Sequence, residues 1–136
     1  MSKKNAEARK SGCPIAFTLD VVGDKWSLLV IRDMAVFGKS YYGEFLESPE
    51  KIATNILAER LKKLEAAEII TKRQDLDNQK KFIYQLTEKG HDLIPIIQQI
   101  MLWGAKHDPN TIAKGKNLER LQEGGLNMKE LFKEKR

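Results

Sequence analysis

Residues 51–90 change hydrophobic period twice, and few small folds accommodate that. "KIATNILAERLKKLEAAEII" (51–70) places Leu57, Leu61 and Leu64 on one stripe, with Ile56 beside it. Apolar spacing of three and four predicts an amphipathic helix over roughly 53–68. Its opposite face carries Asn55, Ala58, Glu59 and Lys62. The period then shortens to two. "IITKRQDL" and "KFIYQLT" alternate, with Phe82, Tyr84 and Leu86 on one face. The polar "DNQK" between them predicts a turn, and the pair a β-hairpin. "TEKGHDLIPIIQQIMLWGAKH" returns to a helical period. It predicts one long helix, capped by Thr87 and bent near Pro95.

Upstream, Pro14 suits a first helical position, because its missing N–H costs nothing there. "PIAFTLDVVG" reads as a helix ended by Gly23. "DKWSLLVIRDMAVFG" reads as a second, with Asp24 as its cap and Gly38 as its stop. Trp26, Leu29, Val30 and Met34 fall near one face, which makes Trp26 a core residue. "SYYGEFLES" fits a brief extended stretch and one or two helical turns before Pro49. Residues of about 3–11 are polar and form at most a short helix. Beyond 110, Leu118, Leu121, Leu126, Leu131 and Phe132 mark a helical tract that Gly124-Gly125 breaks. The 136 residues suit one core. The expected division is a domain over 1–109, with its dimerisation helices, and a helical extension over 110–136.

Composition excludes more than it selects. Apolar residues make up 41% of the chain, enough to fold. A single cysteine forbids a disulfide within the chain and suits a reducing cytosol. No apolar run approaches the ~18 residues of a membrane span; Arg32 interrupts one candidate and Gln98 and Gln99 another. His91 and His107 lie sixteen apart without metal-ligand spacing. No Gly-rich phosphate loop follows a strand, and no Ser-His-Asp set is suggested. No enzyme activity, metal or cofactor is therefore expected. The net charge of +5 favours an anionic partner without requiring one. Most of that excess sits at the two ends, and residues 50–90 carry only +2.

The order of elements is more telling. A short helix, an amphipathic helix and an immediate hairpin make a winged helix-turn-helix, mainly α with a small β wing. In that geometry the second helix enters the DNA major groove and the hairpin tip reaches phosphates or the minor groove. Thr54 and Asn55 lie at the helix start, where an Asn pairs with adenine and a Thr methyl meets the thymine methyl. Lys62 and Lys63 reach the backbone, and Lys80 and Lys81 at the hairpin tip add phosphate contacts. Glu59 either accepts from cytosine N4 or pairs with Lys63 four residues on. The competing reading is a winged-helix module for protein–protein assembly, since fold does not fix function.

Four stretches carry a family resemblance: "CPIAFTLDVVGDKWSLLVIRDM", "YYGEF", "IATNILAERLKKLEAAEII" and "IYQLTEKGHDLIPII". Together, in this order, they resemble the HxlR-type family of bacterial winged helix-turn-helix regulators, over about residues 12–108. The resemblance implies a homodimeric DNA-binding repressor or activator. Two-fold symmetry in turn predicts an inverted-repeat operator in double-stranded DNA, and a cytoplasmic location is expected. It implies subunits joined through the first and last helices. Carried over by position, the DNA-facing residues are Thr54, Asn55, Ala58, Glu59 and Lys62, with Lys80 in the wing. Two positions depart from the family pattern. Ala53 stands where a capping serine is usual, with Thr54 the nearest substitute, and Gly43 stands where a polar residue is usual.

Two expectations concern the ends. Leu93, Ile96, Ile97, Ile100, Leu102 and Trp103 are too many large apolar residues for a lone helix to leave wet. Of these, Ile97, Ile100 and Trp103 are assigned to the subunit interface. Cys13 precedes Pro14, so it lies at a helix N-terminus, where the helix dipole lowers a thiol pKa. Arg9 and Lys10 add to that effect. The resemblance implies that a cysteine here can sense oxidants or electrophiles; the alternative is a small packing residue.

Overall fold

The computed structural model describes residues 11–122. Arg9, Lys10, nearly all of the 3–11 stretch, Gly124-Gly125, Leu126, Leu131 and Phe132 lie outside the described residues. The elements run α1 (Pro14–Val22), α2 (Lys25–Phe37), α3 (Tyr42–Phe45), α4 (Thr54–Ala66), β1 (Ile70–Gln74), β2 (Phe82–Leu86), α5 (Glu88–His91), α6 (Ile94–His107) and α7 (Lys116–Gln122). The mainly helical, winged architecture expected from the period changes is present.

Local chemistry sets the boundaries. Pro14 opens α1, and the Gly23 N–H closes it on the Leu19 carbonyl at 2.8 Å. Asp24 caps α2 by accepting from the Ser27 N–H at 3.0 Å and the Ser27 hydroxyl at 2.7 Å. Gly38 ends α2 in the left-handed conformation, at φ 66°, where glycine lacks the Cβ penalty. Val30, Ile31 and Met34 of α2 pack with Phe45 of α3 and Leu57, Leu61 and Leu64 of α4. Trp26 is half-buried against that core.

β1 and β2 pair antiparallel from Ile70 opposite Leu86 to Gln74 opposite Phe82. Ile70 and Tyr84 point into the core, and the Tyr84 ring meets Phe45 edge-on at 6.3 Å. The brief extended stretch before α3 joins the hairpin: the Tyr84 N–H donates to the Ser40 carbonyl at 2.8 Å. After β2, Thr87 accepts from the Gly90 N–H at 3.0 Å and donates to the Glu68 carbonyl at 2.7 Å. A side chain at position 90 would strike the Ile69 carbonyl. "LTEKG" is thus a capped turn pressed against the start of the wing.

The long helix expected from Thr87 onward is two helices. α5 stops at His91 and α6 begins at Ile94, with Pro95 in its first turn. A continuous helix would drive the Pro95 ring into the carbonyl four residues back, that of His91. The break, rather than a bend, removes that clash. Leu93 and Ile97 face the chain's own core. Ala113 is also buried there, so the chain after α6 folds back on the domain.

Candidate nucleic-acid interface

α4 separates its chemistry as its sequence requires. Leu57, Leu61 and Leu64 are buried, while Thr54, Asn55, Ala58, Glu59, Lys62 and Lys63 are exposed. The helix begins at Thr54, with Ala53 in the capping position and no side-chain cap. Thr54 does not take over that role. Its carbonyl instead accepts from the Tyr42 hydroxyl at 2.7 Å. Gly43 lies exposed in α3 with open space around it, so this departure leaves the packing unaltered.

The ion pairs on α4 differ from those its spacing suggests. Glu59 pairs with Arg60 at 2.8 Å, not with Lys63. Lys63 lies 3.5 Å from Asp24, and Arg60 Nε donates to Asp24 at 2.7 Å. Asp24 therefore caps α2 and also ties it to α4. Burial pushes its carboxyl pKa up, but hydrogen bonds from Ser27 and Arg60 outweigh this and hold it well below the carboxylate range. Arg60, absent from the sequence-derived set, fixes Glu59 on one side and Asp24 on the other. Of the expected phosphate contacts, Lys62 and Lys80 are exposed and make no ion pair among the described residues. Lys81 sits over the Tyr41 ring at 5.3 Å.

Two adjacent tyrosines of the α3 region set the spacing of the two outward-facing elements. Tyr42 holds the start of α4, and the Tyr41 hydroxyl donates to Asp75 at the wing tip, 2.8 Å away. Glu44 fixes the tyrosine pair by accepting from the Ser40 and Tyr41 N–H groups at 3.0 and 2.9 Å. Neither tyrosine carries a periodic signal that would expose this role in sequence.

A winged helix with a polar helix face and a basic wing tip is the frame against which known proteins compare. The family model for the HxlR-like helix-turn-helix matches residues 21–111. The chain belongs to this family. The HTH-type transcriptional regulator YybR of Bacillus subtilis, itself uncharacterized, is 38% identical over 75% of this chain and 81% of its own length. The redox regulator HypR in its oxidised form shares the fold at a TM-score of 0.61, with 32% identity over 70% of this chain and 97% of its own. The reduced form of the B. subtilis regulator YodB follows at 0.59, with 30% identity over 74% and 99%. YodB is also known diamide-treated and quinone-bound. These relatives are transcriptional regulators, not enzymes. No helix among the described residues is long and apolar enough to cross a membrane.

In this HxlR-like chain a buried charge cluster holds the turn that leads into α4. Arg32 of α2 is 8% exposed. Its guanidinium grips Glu50 bidentately, both bonds at 2.9 Å, and donates to Asp33 at 2.8 Å and Ser48 at 3.2 Å. Lys39 lies 3.6 Å from the other Asp33 oxygen. Ser48 and Glu50 belong to the turn that leads into α4, and Lys51 follows in the left-handed conformation, at φ 56°. The sequence presented Arg32 only as an interruption of an apolar run.

The Arg32 hydrogen bond, against the opposing cost of burial, brings the Glu50 carboxyl down to about 2. Asp24 is depressed in the same direction. A depressed carboxyl contributes stability that is complete above its unfolded pKa, about 4, and disappears as pH falls through its folded pKa. Unfolding free energy should be nearly flat from pH 7 to about 5 and fall steeply between about 4.5 and 2. Urea titrations at successive pH values would measure this. Glu50→Gln should flatten that fall, and an unchanged slope would refute its assignment.

The ends of the domain carry the remaining expected residues. Cys13 is exposed at the N-terminal cap of α1. Hydrogen bonds from the Ala16 and then the Ile15 N–H lower its thiol pKa. Ile97, expected at a subunit interface, is 5% exposed and lies in the chain's own core. Ile100 and Trp103 are exposed, as is Ile96, which joins them on the outer face of α6. Ile15 and Leu19 leave α1 similarly bare.

Proposed function

We propose that the chain is a homodimeric regulator that binds an inverted-repeat operator in double-stranded DNA. The observation that supports this most is the joint bracing of α4 and the wing tip by Tyr42 and Tyr41. It holds a helix start and a basic hairpin tip at fixed spacing, as two-element groove binding requires. Thr54, Asn55, Ala58 and Lys62 face the major groove. The uncapped N–H groups at the start of α4 suit a phosphate. Glu59, fixed by Arg60, accepts from cytosine N4 rather than approaching the backbone. Lys80 and Lys81 hold the backbone from the wing, and Lys63 contributes less because Asp24 shares its charge. Residues 1–109 form the binding domain with its dimerisation helices, and 110–136 a helical extension.

Selection of bound duplexes from a random pool should return half-sites centred about 34–36 Å apart, or a multiple. Asn55→Ala should then cost about 1–3 kcal/mol on that operator and relax one base position. Lys80→Ala should weaken all sequences alike and lower the salt slope by about one. If both variants weaken operator and random duplex equally, Asn55 reads no base. No saturable duplex binding at low salt would instead leave a protein-assembly module.

In the same reading Cys13 is a sensor. Exposure and a lowered pKa favour the reactive thiolate, and the likeness to HypR and YodB supports it. Two Cys13 thiols, one per subunit, form one disulfide by giving two electrons and two protons to an oxidant such as diamide. Alternatively one thiolate adds to a quinone carbon, and the ring takes the proton. Unchanged operator affinity after complete modification of Cys13 would reduce it to a surface residue.

A further inference from the structure

We infer that Leu76, at the tip of the wing, is an apolar probe that enters the DNA minor groove and supplies sequence preference there. The inference rests on the DNA-binding reading above and adds a residue and a mode of recognition to it. Leu76 is 90% exposed, the most exposed large apolar side chain among the described residues. A solitary exposed leucine is ordinary on a loose surface. This one stands on a tip locked by hydrogen bonds. The Asp75 N–H donates to the Lys81 carbonyl and the Lys81 N–H to the Asn78 carbonyl, both at 2.9 Å. The Asp75 carboxylate accepts from the Asp77 N–H at 2.9 Å and from the Tyr41 hydroxyl at 2.8 Å. Gln74 Nε2 reaches the Gln79 carbonyl at 2.7 Å, and Asn78 Oδ1 accepts from the Lys80 N–H at 3.1 Å. The leucine is therefore presented, not merely left out.

The surrounding charge selects the partner. Residues 72–81 hold four basic and two acidic groups. One of the acids, Asp75, is buried and bonded to Tyr41. Arg73 and Lys80 are exposed and make no ion pair among the described residues. Leu76 stands between Asp75 and Asp77 in the chain, but of these only Asp77 is exposed, against exposed Lys72, Arg73, Lys80 and Lys81. An apolar apex on a net positive tip matches a groove walled by apolar deoxyribose and rimmed by phosphate. Minor-groove proteins use leucine in this way, as a wedge against base steps that unstack easily. The net positive charge of the exposed tip suits a polyanion better than a neutral protein surface.

Because Leu76 is almost fully exposed, its variants keep the fold. Leu76→Ala should weaken the selected operator about tenfold per subunit, from loss of the apolar area covered in the groove. It should leave random-duplex affinity and the salt slope unchanged. Leu76→Met should retain most of the preference. Leu76→Lys should tighten random duplex and steepen the slope by about one phosphate without restoring operator preference. Changing the base steps under the wing from A·T to G·C should weaken wild type and leave Leu76→Ala indifferent. Equal operator binding by wild type and Leu76→Ala would overturn the inference while the DNA-binding reading stands. So would a change in oligomeric state rather than DNA affinity. Absence of any duplex binding by wild type would remove both.

Discussion

Arg32→Ala is expected to destabilise the chain by about 3–5 kcal/mol, the usual cost of breaking a buried pair from one side. That is a large fraction of the roughly 5–15 kcal/mol by which a domain is stable. The loss comes from what remains behind. Asp33 is 2% exposed and would be left with only Lys39, 3.6 Å away, as a charged partner. Glu50 would lose both bonds that hold the turn before α4. Arg32→Lys should recover only part of the loss, because an ammonium cannot grip Glu50 bidentately or reach Ser48 with the same fork. Combining Arg32→Met with Asp33→Asn and Glu50→Gln should cost much less than Arg32→Ala, since no unpaired charge is then buried. Urea unfolding at pH 7, read at constant m, gives these differences. A loss below about 1 kcal/mol for Arg32→Ala would mean that the cluster is wetter than its burial indicates. Operator affinity should fall further than stability alone explains, because the turn that aims α4 is released.

The parts of this architecture that repeat along the chain were legible in sequence. Leu57, Leu61 and Leu64 announced α4, and Phe82, Tyr84 and Leu86 the wing. The caps Asp24 and Thr87 and the stop at Gly38 were legible because each acts on its own backbone within a few residues. What escaped was chemistry joining distant positions. Arg32 meets Glu50 eighteen residues away, Arg60 meets Asp24 thirty-six away, and Tyr41 meets Asp75 thirty-four away. No local period records such pairs. The same limit explains Lys63, whose reach toward Glu59 was judged along the helix while its partner lay on another. It also explains Ile97: an apolar stripe states that a side chain must be covered, not by which subunit. The break before α6 was nearly legible, since Pro95 and the carbonyl of His91 are four residues apart.

Ile100→Asp combined with Trp103→Asp should convert the proposed dimer to a monomer and lower operator affinity by about 10²–10⁴-fold, the factor that linked half-sites lend each other. Ile96, Ile100 and Trp103 recur at four and three residues on the outer face of α6, and Trp103 is 70% exposed. Ile97, one position away from Ile96, is already spent on the core. The fold therefore separates the apolar residues of this helix into an inner set that the domain covers and an outer set that it does not. Ile15 and Leu19, 70% and 60% exposed, recur four apart on α1. Clusters of exposed large apolar side chains of this kind mark interaction sites. A two-fold partner would cover both faces with copies of themselves. Because the substituted side chains contribute little to the chain's own core, the variant should keep its helical content. Its affinity for a single half-site should stay near that of wild type. The melting temperature of wild type should rise with protein concentration, and that of the variant should not. Sedimentation of both proteins across the same concentrations decides the matter. A variant that still sediments as a dimer would place the subunit contact elsewhere on the domain. A monomer that binds the full operator as tightly as wild type would break the link between symmetry and affinity.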